Sequence, residues 1–195
     1  MKKKKYIKNS GFTLVETLVA VSIFTLSILA LMSVLTSGIS NTGYAKKKMI
    51  AAYLAQEGME YVRNVRDTYV LYSANSQAGW TAFNSKLTVA SASCQLPSGC
   101  FIDDTGVSYS DQTSPIADLA FWACPSPSCA LSVLLYNSAT GRYNYSTGTD
   151  SGYKRKIKIT QISANETIFF SIVSWTQGSG AYSITFSESL FNWVE

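Results

Sequence analysis

Histidine does not occur in this 195-residue chain, proline occurs four times and never before Pro97, and charged residues make up only 14%. Each shortage excludes something. Without histidine there is no Ser–His or Cys–His nucleophile pair, and the commonest metal ligand is missing. Any catalysis would have to rest on carboxylates. Without proline, no ring interrupts a helix in the first half of the chain. Cysteine is also sparse, four residues in two close pairs: Cys94 and Cys100 in "CQLPSGC", Cys124 and Cys129 in "CPSPSC". Pro, Ser and Gly between the partners suit small disulfide loops. A four-thiolate zinc site is the rival, but its ligands usually sit two to four residues apart. Four cysteines allow three connectivities, and local pairing is a mild preference among them.

Charge is scarce and unevenly placed. The formal net charge is +4, yet Lys2, Lys3, Lys4, Lys5 and Lys8 all precede Gly11, and beyond residue 11 there remain 11 basic and 12 acidic residues. The basic balance belongs to the leader, so no nucleic-acid partner is expected for the body, which would need basic residues clustered on its surface. Lys46 to Lys48 form a second basic run too short to change this.

What the chain has instead is a long apolar run. Residues 12 to about 38 are nearly all apolar or small, with one charge, Glu16. As a helix this run would extend ~40 Å, more than the ~30 Å hydrocarbon core of a bilayer. The lysines before it place the N-terminus on the cytoplasmic side and export the residues beyond it. The run is too long for an ordinary secretory signal. A carboxylate at membrane depth is costly and usually functional, although one so near the helix start could also reach the headgroups.

From Tyr44 to Asp67 the helical pattern continues but becomes amphipathic, with Ile50, Leu54, Tyr61 and Val65 in phase and Gly58 filling a gap in the stripe. Glu60 and Arg63 are spaced as a weak surface pair. Gly38 and Gly43 mark the expected place for a bend or a loosened turn. Residues 73–118 are rich in Ser, Asn, Gln, Thr and Gly. Within them "GWTAFNSKL" predicts a short helix with Trp80, Phe83 and Leu87 on one face, and the rest reads as loop or short strand. "DDTG" (103–106) reads as a solvated turn, with an oxygen-lined calcium site as the alternative.

The C-terminal third predicts strands at 130–136, 142–147, 154–162, 166–175 and 181–187, with turns at 163–165 and 177–180. They form an antiparallel meander with one face on a helix. Lys154, Lys156 and Lys158 read as the solvated face of one strand, with an anion-binding stripe as the alternative. Trp175, Phe191 and Trp193 read as core or closure residues.

The motif "GFTLVE", Gly11 to Glu16, behind a short basic leader and before the long apolar helix, resembles the N-terminus of type IV pilins and pseudopilins. "AAYLAQEGMEYVRN" (51–64) is similar to the second half of the helix in minor-pilin-like members. The resemblance implies an α+β fold: a long N-terminal helix, transmembrane in its first half and amphipathic in its second, packed on a C-terminal antiparallel β-sheet head. It divides the chain into a cleaved leader (1–11), a membrane or filament-core helix (12–40), the amphipathic half (41–70) and an exported β-rich head (71–195) with a loop region at 73–130. All four cysteines lie mid-chain, so the C-terminal disulfide loop of some members does not map here.

The resemblance further implies cleavage between Gly11 and Phe12 by a membrane prepilin peptidase, which also methylates Phe12. Cleavage would create an α-amine four residues before Glu16, about one helical turn away. Glu16 would then pair with the amine of an adjacent subunit and set axial register. The implied partners are this peptidase/methylase, other pilin subunits of the same or another kind, an inner-membrane assembly platform and the membrane itself. No cofactor, metal or enzymatic activity is expected. The chain would be inserted in the cytoplasmic membrane, N-terminus inside and head outside, then enter an extracellular filament or a periplasmic pseudopilus. The alternatives to a pilus subunit are a pseudopilin of a type II-like secretion system and, from a different class, a membrane-anchored extracytoplasmic binding domain or enzyme. For the last, Asp103, Asp104 and Asp111 are the available carboxylates, and they lie in expected turns.

Overall fold

The computed structural model describes residues 11–88, 94–95, 99–103, 120–124, 129 and 133–192. The chain divides into two compact units, residues 1–46 and 47–195. One α-helix, α1 (Leu14–Tyr72), contributes to both. Its course is unbroken at Gly38 and Gly43, so the expected bend is absent. A glycine in a helix costs about 1 kcal/mol relative to alanine, and the helix runs through both positions.

In the first unit no residue from 11 to 42 is buried. The helix there is long and apolar enough to cross a membrane.

Among the described residues, the second unit contains the rest of α1, the short helix α2 (Ser76–Thr88) and seven strands: β1 (Cys100–Asp103), β2 (Ala120–Ala123), β3 (Val133–Asn137), β4 (Arg142–Asn144), β5 (Thr149–Ser163), β6 (Glu166–Gln177) and β7 (Gly180–Phe191). Strands β5, β6 and β7 are the expected meander, paired antiparallel along nearly their full lengths. The β6–β7 loop is two residues long, and Gly178 occupies it at a φ of 57°, a backbone that non-glycine residues rarely take.

The sheet is wider than a meander. Two partners share the outer edge of β5: β3 pairs with Thr149–Lys154, and β1 pairs at Ile157. Strand β2 then extends the sheet beyond β1. The strand expected at 142–147 ends at Asn144, because Oδ1 of Asn144 accepts the backbone N–H groups of Ser146 (2.9 Å) and Thr147 (2.7 Å) and turns the chain.

The core lies between α1, α2 and one face of the sheet. On α1 the buried stripe is Ala51, Leu54, Ala55, Gly58, Met59, Val62 and Val65. It is shifted from the expected stripe: Leu54, Gly58 and Val65 lie in it, whereas Ile50 and Tyr61 are only half-buried. Small residues let the helix approach the sheet closely: a methyl group on Gly58 would lie 2.6 Å from Ser171 Oγ and 3.1 Å from Arg155 Cδ. Trp80, Phe83 and Leu87 are all buried, as the one-face reading of α2 requires, against Ile157, Ile159 and Phe169 of the sheet.

The outward positions of β5 hold the three lysines, Lys154 exposed and Lys156 and Lys158 half-buried. Burial and the neighbouring Lys158 push the Lys156 pKa down. Trp175 is buried, but Phe191 is exposed at the end of β7, so it does not close the core. Asp104, Asp111, the rest of "DDTG" beyond Asp103, residues 130–132 and Trp193 lie outside the described residues.

Candidate processing and assembly site

Gly11, Phe12 and Thr13 precede α1, outside any regular element, and are exposed. Gly11 has open space around it, with nothing within 4 Å of where a Cβ would sit. Phe12 is 72% exposed. The peptide bond between them is thus free of the helix and of side-chain cover, as attack by another protein requires.

Thr13 starts the helix. Its hydroxyl accepts the backbone N–H of Glu16 at 3.3 Å, and its carbonyl accepts that of Thr17 at 3.2 Å. Thr13 is therefore the N-cap and Glu16 the third helical residue, where an acidic side chain complements the positive helix terminus. The pattern Thr-x-x-Glu is a capping-box sequence, a signal available in the sequence beside the motif reading. It also alters the expected geometry. Because the cap falls at Thr13, Phe12 lies outside the helix, and its nitrogen and Glu16 are not one helical turn apart in the uncleaved chain.

Beyond Glu16 the helix carries no further charge before Lys46. Its polar side chains are neutral, and seven hydroxyls donate back to carbonyls three or four residues earlier. Thr17 bonds Leu14 (2.8 Å), Ser22 bonds Leu18 (2.7 Å), Thr25 bonds Ser22 (2.9 Å) and Ser27 bonds Ile23 (2.8 Å). Thr36, Ser37 and Thr42 do the same with Met32, Ser33 and Gly38. Each of these donors is satisfied within the helix, which is the condition for placing it in hydrocarbon.

In the second unit one charged group stands out. Arg155 is 3% exposed on the inner face of β5. Its Nη1 donates to the Leu54 carbonyl (3.2 Å) and to the Glu57 carboxylate, and its Nε donates to Tyr145 Oη (3.3 Å). The guanidinium also lies over the rings of Tyr61 and Tyr145, 5.4 and 5.8 Å from their centroids. Burial alone would lower its pKa, but Tyr145 and Glu57 more than offset this, and it is raised above the usual arginine value. The group ties α1 to β5. A second tie is Arg63, which meets Glu188 of β7 as well as the expected Glu60, and whose pKa is raised chiefly by its bond to Glu188.

The sequence reading assigned the flanking lysines and left Arg155 without a role. The signal was its phase: it shares strand parity with Tyr153, Ile157 and Ile159, which are all buried.

The cysteines are bonded locally, Cys94 to Cys100 and Cys124 to Cys129. Cys94 and Cys100 belong to the main core, whereas Cys124 and Cys129 pack with Phe101 in a smaller cluster. The structure thus brings Gly11, Phe12 and Glu16 together at one helix start and places the four cysteines in the head, with no shared site.

Residues 7–39 match the family model of the prokaryotic N-terminal methylation motif. No curated protein and no solved structure matches the chain. The motif match supports a type IV pilin-like or pseudopilin role. The apolar N-terminal helix and the motif are together consistent with membrane anchoring.

Proposed function

We propose that the chain is a structural subunit of a type IV pilus-like filament, made as a precursor and processed at its N-terminus. The observation that carries this is the motif match over residues 7–39, joined to the exposed apolar helix that begins within it at Leu14. In this reading a membrane prepilin peptidase cuts between Gly11 and Phe12 and methylates the new amine of Phe12. The basic leader holds the N-terminus in the cytoplasm, residues 12–40 lie in the cytoplasmic membrane, and the head stands outside. On assembly, the same apolar surface moves from lipid to neighbouring subunits, and Glu16 meets the Phe12 amine of one of them. A carboxylate in an apolar medium costs several kcal/mol unless a cation neutralises it, so the pair sets the register of one subunit on the next.

Mass spectrometry of the mature N-terminus tests the processing step. The expected result is a methylated phenylalanine at position 12; a chain beginning at Met1, or cut after residue 38, overturns the reading. Electron microscopy with an antibody to the head tests the assembly. Labelled surface filaments support the pilus, and label confined to the envelope assigns the chain to a secretion pseudopilus.

A further inference from the structure

The head has two chemically different ends, fixed by how α1 lies on the sheet. Lys47 Nζ donates to the Thr176 carbonyl at 3.0 Å, and Tyr153 Oη donates to the Lys47 carbonyl at 3.2 Å. Further along α1, Arg63 meets Glu188, and Trp80 of α2 donates to the Ala164 carbonyl at 2.7 Å. Lys47 therefore shares one end, here the proximal end, with the β6–β7 turn. Strand register puts the β3–β4 turn there too, since Tyr136 pairs with Thr149 and Tyr153 pairs with Trp175.

The proximal end is basic and aromatic. Lys48, Arg142 and Lys154 are exposed there. Of the acidic side chains, Asp150 accepts the Gly152 N–H at 2.7 Å, and Glu57, which lines a groove with Tyr143, is engaged by Arg155. A row of rings crosses five strands. Successive centroids are 5.1 Å apart from Tyr136 to Tyr143, 6.3 Å to Tyr153, 6.4 Å to Trp175 and 5.8 Å to Tyr182. The outermost rings, Tyr136 and Tyr182, are 37% and 38% exposed. An open cleft of about 360 Å³ lies beside the row, with Lys154 on one side and Tyr182 on the other. The distal end differs: its arginines, Arg63 and Arg66, are engaged by Glu60, Glu188 and Asp67.

We propose that the proximal end of the head is a membrane-surface docking face, occupied before assembly by the headgroup layer of an anionic bilayer. The inference rests on the reading that residues 12–40 are inserted in that bilayer. Residues 41–46 alone join the apolar run to Lys47, a tether of at most ~22 Å even if fully extended. Tyrosine and tryptophan rings favour the headgroup level, where one edge is apolar and the other wet. Each lysine or arginine near an anionic leaflet strengthens binding about five-fold. Rings and cations occur together at this end, and the tether delivers it to the surface whose chemistry matches both.

The test is amide hydrogen exchange of the full chain in nanodiscs of phosphatidylcholine alone or mixed with phosphatidylglycerol. Exchange at 138–141 and 177–180 is expected to slow about five-fold or more in the anionic discs, and the slowing should vanish at high salt. The distal turn at 163–166 serves as the control and should not change. The triple variant Lys48→Gln, Arg142→Gln, Lys154→Gln alters only exposed side chains and should abolish the slowing. Equal exchange in both lipids, slowing at both ends, or slowing that survives in the triple variant overturns docking. Flotation separates the two levels: a chain that floats with the discs but shows no slowing loses the docking face only, whereas one that does not float loses membrane insertion as well.

Discussion

The two stretches of α1 belong to one continuous helix and end in opposite situations. Residues 14–42 offer Leu, Val, Ile and Phe around the helix and bury none of them. Residues 47–72 bury a stripe built largely on Ala51, Ala55 and Gly58 and leave Glu57, Glu60 and Asp67 at the edges. Apolar content alone does not decide what a helix does. The second stretch has a sheet of its own chain shaped to receive it, with Gly58 fitted against Ser171 and Arg155 held by Glu57. The first has large side chains on every side, a contiguous apolar surface that needs cover from something other than this chain. Fit marks the packed half, and all-round apolar bulk marks the exposed half.

The sharpest break in this comparison falls at Glu16. Glutamine can still serve in a capping box but cannot neutralise an ammonium. Under the proposed assembly, Glu16→Gln should insert normally and lose incorporation into filaments by about ten-fold or more, given what an unneutralised charge costs in an apolar site. Pulldown of tagged subunits with the filament measures it. Normal incorporation would reduce Glu16 to a helix cap.

Next comes the Arg155–Glu57 tie. Glu57→Ala leaves a buried guanidinium without its carboxylate and should cost the head about 2 kcal/mol, less than a fully buried pair because Glu57 is partly solvated. Arg155→Met should cost less, since Glu57 can turn to water. Denaturant titration of the full chain in detergent, followed by tryptophan fluorescence, reads both values. Equal costs would deny the asymmetry.

A matched pair of substitutions then contrasts the two stretches directly. Gly58→Ala should destabilise the head by about 1 to 2 kcal/mol, because the crowding against Ser171 and Arg155 exceeds the gain in helix propensity. Gly38→Ala meets nothing within 4 Å and should instead stabilise its helix by about 1 kcal/mol. Thermal melts in the same micelles compare them.

The smallest effect is alkaline. Burial raises the phenol pKa values of Tyr69, Tyr143 and Tyr153. An acid held neutral in the fold contributes stability below its unfolded pKa of about 10 and loses it as pH rises through the folded value. Stability should therefore be level up to about pH 10 and decline above it, and Tyr153→Phe should make the decline shallower.

Much of this design is legible in the sequence, for identifiable reasons. The apolar run, the meander and the face of α2 are written in periodicity, which burial enforces directly. Strands β1 and β2 are not, because four-residue strands in a Ser- and Gly-rich region owe their place to pairing, β1 with β5 and β2 with β1, and to nearby disulfides rather than to any pattern of their own. Arg155 is written only as a phase, which the adjacent lysines mask. Glu16 is written twice, once in the processing motif and once in the capping box, and the two readings assign it different work.

The seven hydroxyls of the first stretch have a further consequence. Because each returns its proton to the helix that carries it, these seven groups hold no polar obligation to their surroundings. Under the proposed assembly, exchanging lipid tails for the side chains of neighbouring subunits breaks and makes none of these bonds. In that reading the seven hydroxyls are portable between the two media, and Glu16 is left as the one charged side chain between residue 12 and Lys46 that can tell them apart.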